Sequence, residues 1–137
     1  MNRYRVLIID DEPGVRRTLE RALRGNHYEV VSAGDPNSAY QVLKETSFDV
    51  VLLDLRLPQI SGDAFFLAIV RQWPRLVGRV ILMSGDMHDP QPGWPPELTH
   101  CPVLHKPFSL DVLVRTVGQV LAAADSNADL LEGNGNP

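Results

Sequence analysis

The sequence predicts a single α/β domain built on a five-stranded parallel sheet with helices on both faces, and two patterns carry the prediction. The apolar runs at residues 6–9, 50–53 and 80–83 are continuous rather than alternating, as in strands buried on both faces. Between such runs lie segments with helical spacing of apolar residues and helix-start chemistry. A chain of 137 residues with 44% hydrophobic content has room for one such core and not for two ordinary ones.

Taken in order, the run at 6–9 is the first strand. Pro13 occupies the first turn of the first helix, whose stripe is Val15, Leu19, Ala22 and Leu23 and whose stop is Gly25-Asn26. Residues 28–33, with β-branched Val30 and Val31, form a second strand. Asp35-Pro36 caps the next helix, with Ala39, Val42 and Leu43 facing the core. After the strand at 50–53, Ser61 or Gly62 opens a helix carrying Phe65, Phe66, Ile69 and Trp73, and Pro74 closes it. The strand at 80–83 leads into an irregular stretch with prolines at 90, 92, 95, 96 and 102, which leaves room for no more than one helical turn, near 95–98. Val103 and Leu104 supply a short fifth strand. Ser109 caps a last helix in which Leu110, Leu113, Val114, Val117, Val120 and Leu121 face the core. Residues 125–137, poor in apolar side chains and ending Gly-Asn-Gly-Asn-Pro, read as a disordered tail or linker stub.

Composition removes several function classes. With 13 Lys plus Arg against 17 Asp plus Glu, the formal charge is -4, unsuited to neutralising nucleic-acid phosphates. A single cysteine, Cys101, excludes an internal disulfide framework and fits a reducing, cytoplasmic setting. No apolar stretch approaches the roughly 18 residues of a membrane span, and the short run at 6–9 is no signal-peptide core.

In a parallel sheet, sites gather just past the carboxyl ends of the strands. Those positions here hold Asp10 and Asp11, Asp54, Ser84 and Gly85, and Lys106 with Pro107. Three carboxylates at one rim repel one another and call for a cation. A hard divalent ion such as magnesium, with its preference for oxygen ligands, suits the set. A lysine holds phosphate as a point charge and a serine hydroxyl donates to a phosphoryl oxygen, so the constellation is suited to phosphoryl transfer. Taken singly, each residue has a plainer account: Asp10-Asp11 as a solvated strand end before a helix, Ser84 as a loop hydroxyl, Lys106 as a surface charge.

Asp10-Asp11, Asp54 followed by Leu-Arg-Leu-Pro58-Gln-Ile-Ser-Gly62, Ser84-Gly85 and Lys106-Pro107-Phe108 together resemble the receiver domain of two-component response regulators. The resemblance runs from about residue 4 to 124, so residues 1–124 are read as one receiver domain. It implies the flavodoxin-like, doubly wound fold. It also implies that Asp54 accepts a phosphoryl group from a sensor histidine kinase or histidine phosphotransfer domain, switching contacts with an output protein whose identity is open. In similar proteins Mg2+, or Mn2+ in its place, is bound by residues matching Asp11 directly, Asp10 mostly through water, Asp54, and the backbone carbonyl of Arg56. Lys106 and Ser84 would hold phosphoryl oxygens, Gly85 would leave room for the incoming imidazole or a water, and the Lys106-Pro107 bond would be cis. Slow self-hydrolysis makes such a protein a signalling switch rather than an ordinary enzyme.

Two departures from the family pattern bear on output. Val103 stands where most receivers carry an aromatic ring three residues before the lysine, and the proline-rich segment with Trp94 replaces the fourth helix. They motivate an alternative, a receiver-like module that docks constitutively without phosphorylation. Ser84-Gly85-Asp86 and the Lys-Pro-Phe-Ser run at 106–109 resemble receivers that work with hybrid sensor kinases. Arg16, Arg17, Arg21 and Arg24 on the first helix are read as a solvated face, or as part of a kinase-docking surface by the same resemblance. A flavin or nucleotide site is disfavoured because no glycine-rich loop follows the first strand.

Overall fold

The computed structural model describes residues 3–135, with side chains described as far as residue 126. The chain runs β1 (Arg5–Ile9), α1 (Pro13–Arg24), β2 (Glu29–Ala33), α2 (Pro36–Glu45), β3 (Val50–Asp54), α3 (Gly62–Gln72), a 3-10 turn (Pro74–Leu76), β4 (Val80–Ser84), α4 (Pro96–Thr99), β5 (Val103–His105) and α5 (Leu110–Gly135). All sheet pairings are parallel and the strand order is β2-β1-β3-β4-β5.

Residues along each central strand alternate between two buried layers, which is why their apolar runs are unbroken. Leu7, Ile9, Val51, Leu53 and Leu82 pack with Phe65, Phe66 and Ile69 of α3 and Ala39 and Leu43 of α2. On the opposite face Val6, Ile8, Val50, Leu52 and Ile81 pack with Leu19 and Leu23 of α1 and Leu113, Val117 and Leu121 of α5. The expected caps form: Asp35 accepts from the Ser38 amide at 2.8 Å and Ser109 from the Val112 amide at 3.1 Å. Gly62 opens α3 because a β-carbon there would stand 2.6 Å from the Leu55 carbonyl oxygen.

The proline-rich stretch yields one helical turn, α4, whose Leu98 is fully buried, and Trp94 packs against the α2/α3 layer as a plug over the shortened helix. Leu110 differs from its expected inward position: it is 42% exposed in the first turn of α5, next to the Ser109 cap. The tail also differs from the expected linker. The backbone of α5 continues helically through Asp125 to Gly135, since Ala122, Ala123 and Ala124 are strong helix formers and no proline occurs before Pro137. Asn136 and Pro137, the end of that expected tail, lie outside the described residues. Among the described residues no helix is long and apolar enough to cross a membrane.

Candidate functional site

The strand order reverses direction between β1 and β3, and a crevice opens at such a switch point beyond the strand ends. Asp10, which follows β1, and Asp54, the last residue of β3, stand there. Asp10 is fully buried, and its amide bonds the Ala33 carbonyl at 3.1 Å. One of its carboxylate oxygens accepts from the Glu12 amide at 2.9 Å and the other from Lys106 Nζ at 2.7 Å. Asp54 is 4% exposed; its Oδ1 accepts from the Arg56 amide at 2.9 Å and its Oδ2 from Lys106 Nζ at 3.3 Å.

Lys106 is thus the cation between two carboxylates; its backbone N–H donates to the Ser84 carbonyl at 2.7 Å, and the Lys106-Pro107 peptide is cis. Burial pushes the Asp54 carboxyl above its ordinary value; the Arg56 amide and Lys106 pull the other way, and repulsion from Asp10 adds to the rise. Burial also works against charge on Lys106, but the Asp10 hydrogen bond and the two carboxylate charges outweigh it and hold its pKa above the ordinary value.

Carboxylate oxygens of Asp10, Asp11 and Glu12 lie within 4.8 Å of one another. This all-oxygen donor set fits a hard divalent cation. It includes Glu12, which the sequence reading does not name, whereas Asp54 lies outside that cluster and joins the group through the shared lysine. A groove of about 760 Å³ opens over Asp11, Glu12, Asp54, Lys106 and the loop at 85–88. A β-carbon on Gly85 would meet nothing within 4 Å, in keeping with the room expected there.

Ser84 is the expected residue whose surroundings differ most from the expectation. It is fully buried, and its hydroxyl donates to Asp89 Oδ2 at 2.5 Å while accepting from the Asp86 amide at 3.0 Å. The Arg56 side chain grips Asp89 with Nε at 2.9 Å and Nη2 at 2.5 Å, and reaches Asp86 at 3.1 Å. Asp89 has no exposed side-chain surface. Burial raises its pKa, but hydrogen bonds from Ser84, Gln91 and Arg56 more than offset this and leave it below the ordinary carboxylate value. Sequence reasoning missed Asp89, and the only signal for it is Arg56, a guanidinium next to the rim without a partner in the local sequence. On α1, Arg16 donates to the Asp10 carbonyl at 2.7 Å, so it shapes the rim from below rather than standing in a solvated face.

A parallel sheet of this order, with an acid cluster, a buried aspartate and a bridging lysine at its switch-point edge, defines an α/β domain of the flavodoxin-like class. The profile of the response regulator receiver domain family matches residues 6–118, and the chain belongs to that family. It is 31% identical over 133 residues, 95% of its length, to a probable transcriptional regulator, ycf27, of Porphyridium aerugineum. The chain spans 54% of that relative's length. The solved response regulator TrrA of Thermotoga maritima, in complex with Mg2+ and BeF, superposes with a TM-score of 0.75 at 26% identity, covering 86% of this chain and 99% of that one. A CheY-like receiver domain protein from Methanospirillum hungatei superposes with a TM-score of 0.83, covering 92% and 99% of the two chains; at 18% identity that likeness concerns the fold.

Proposed function

We propose that this chain is the phosphoacceptor of a two-component relay and that Asp54 carries the phosphoryl group. The observation supporting this best is the pairing of a buried Asp54 carboxylate with Lys106 Nζ, itself bonded to Asp10, at the edge of an open groove. A carboxylate so placed is poised to attack, and the ammonium stands where charge on transferring oxygens develops. An Asp54 oxygen forms the bond to phosphorus as the phosphorus–nitrogen bond of a phosphohistidine breaks. The electron pair leaves with the imidazole, which takes up a proton.

Asp10, Asp11, Asp54 and the Arg56 carbonyl are the groups we assign to Mg2+ or Mn2+, with Glu12 adjoining. When bound, the ion neutralises charge on the phosphoryl oxygens. Lys106 and Ser84 are assigned to phosphoryl oxygens. The donor is a sensor histidine kinase or histidine phosphotransfer domain, the exchange takes place in the cytoplasm, and residues 1–124 are the unit that performs it. Output passes through protein contact rather than through nucleic acid.

Intact mass spectrometry tests the reading on wild type and Asp54→Ala incubated with Mg2+ and acetyl phosphate or phosphoramidate. One phosphoryl adduct is expected on the wild type, absent from the variant and blocked by chelator. A folded wild type that takes no adduct from either donor overturns it. A second reading, constitutive docking, is favoured by the commitment of the Ser84 hydroxyl to Asp89. It predicts that Asp54→Ala leaves partner binding unchanged.

A further inference from the structure

Asp89 is a buried carboxylate outside the phosphoacceptor set, and it engages two members of that set at once. It accepts from Ser84 Oγ at 2.5 Å, Arg56 Nε at 2.9 Å, Arg56 Nη2 at 2.5 Å and Gln91 Nε2 at 2.9 Å. Ser84 follows Met83, which pairs with Asp54 across β3 and β4, so its hydroxyl belongs to the strand end beside the acceptor. A serine has one proton to donate. Here the hydroxyl donates to Asp89, and the Asp86 amide donates to the hydroxyl oxygen. Arg56 ties the two acids together, its amide on Asp54 and its guanidinium on Asp89. Asp89 also begins the stretch that replaces a full fourth helix, and Trp94 of that stretch packs on the core.

We propose that Asp89 is a positioning residue that competes with a phosphoryl group on Asp54 for the Ser84 hydroxyl, so that the loss of Ser84 by Asp89 carries the signal into the segment 86–95. This rests on Asp54 as the phosphoacceptor. A phosphoryl oxygen is a charged acceptor like the Asp89 carboxylate, and the hydroxyl serves one of them at a time. With Val103 in place of an aromatic ring, the readout of this chain lies in the loop after β4 rather than at β5. By linkage, weakening the competitor strengthens binding of a phosphoryl mimic. A merely structural role for Asp89 gives the opposite sign.

The test is titration of the full chain with beryllofluoride in Mg2+ by calorimetry, for wild type, Asp89→Asn, Ser84→Ala and the double variant. Intrinsic fluorescence in a Trp73→Phe background follows Trp94, the other tryptophan of the chain, and circular dichroism confirms folding. Asparagine keeps one acceptor oxygen and the volume while removing the charge. Asp89→Asn is expected to bind beryllofluoride about tenfold more tightly than wild type, the order of the difference between a charged and a neutral acceptor. That gain is expected to vanish in the Ser84→Ala background, where no hydroxyl is contested. Amide exchange at 86–95 is expected to change when beryllofluoride binds wild type and to stay unchanged in Ser84→Ala. Unchanged or weaker binding by folded Asp89→Asn overturns the proposal, as does a gain that persists without Ser84. Should wild type bind no beryllofluoride and take no phosphoryl adduct, the Asp54 reading fails first, and the two failures are told apart.

Discussion

Replacing Lys106 by methionine removes the cation shared by two buried carboxylates while keeping the length of the side chain. Lys106 is 22% exposed, against 0% for the Asp10 side chain and 5% for that of Asp54. Breaking a fully buried pair from one side costs about 3–5 kcal/mol. The groove admits water at this edge, and both acids keep an amide donor, Glu12 for Asp10 and Arg56 for Asp54, so about 2–3 kcal/mol is expected. For a chain of 137 residues this lowers Tm by roughly 7–10 °C. The assay is thermal unfolding by circular dichroism in chelator at neutral pH. Without the lysine, burial leaves the native Asp54 carboxyl binding protons more readily than the unfolded chain does, so the deficit shrinks as pH falls below neutral. In wild type the raised pKa of Lys106 confers stability that is complete below its unfolded value near 10.5 and lost as pH rises through the folded one. Millimolar Mg2+ should narrow the gap, since a divalent cation among the same oxygens replaces the lost charge. A folded Lys106→Met protein melting within about 2 °C of wild type in chelator, or above it, refutes the reasoning.

Gly62→Ala drives a β-carbon to 2.6 Å from the Leu55 carbonyl and 2.9 Å from the Leu55 α-carbon, so urea unfolding should show a loss of about 2–3 kcal/mol despite alanine's better helix propensity. Leu98→Ala should cost about 3 kcal/mol by the same measurement, because the single turn of α4 buries that side chain completely; a cost below about 1 kcal/mol makes α4 an unanchored loop. Burial pushes the Cys101 thiol up to about 11, so alkylation at pH 8 should run roughly a hundredfold slower in the native protein than in urea, and equal rates refute it.

The strands and helices were legible because their signals are local. An unbroken apolar run, an aspartate or serine at a helix start and a proline cluster each act within a few residues, and each predicted element forms with bounds close to those expected, except at the C-terminal end of α5. Low apolar content predicts a linker after residue 124, whereas helix propensity in the alanines at 122–124 carries the backbone on to Gly135. Leu110 is exposed although it continues the apolar stripe, because periodicity marks a stripe but not how far along a helix its burial extends.

Sequence alone determined the parallel sheet, the shortened α4 and the gathering of Asp10, Asp11, Asp54, Ser84 and Lys106 at one edge, because strand ends in such a sheet converge by topology. It could not place the hydrogen-bond partners within that edge. Lys106 meets Asp10 across 96 positions and Arg56 meets Asp89 across 33, and no local pattern encodes either pair. Only the tertiary structure decided that Asp89 is buried, that it holds Ser84, and that Arg56 serves it with its side chain. A buried carboxylate must find donors from whatever elements pack around it, and those neighbours exist only once the chain has folded.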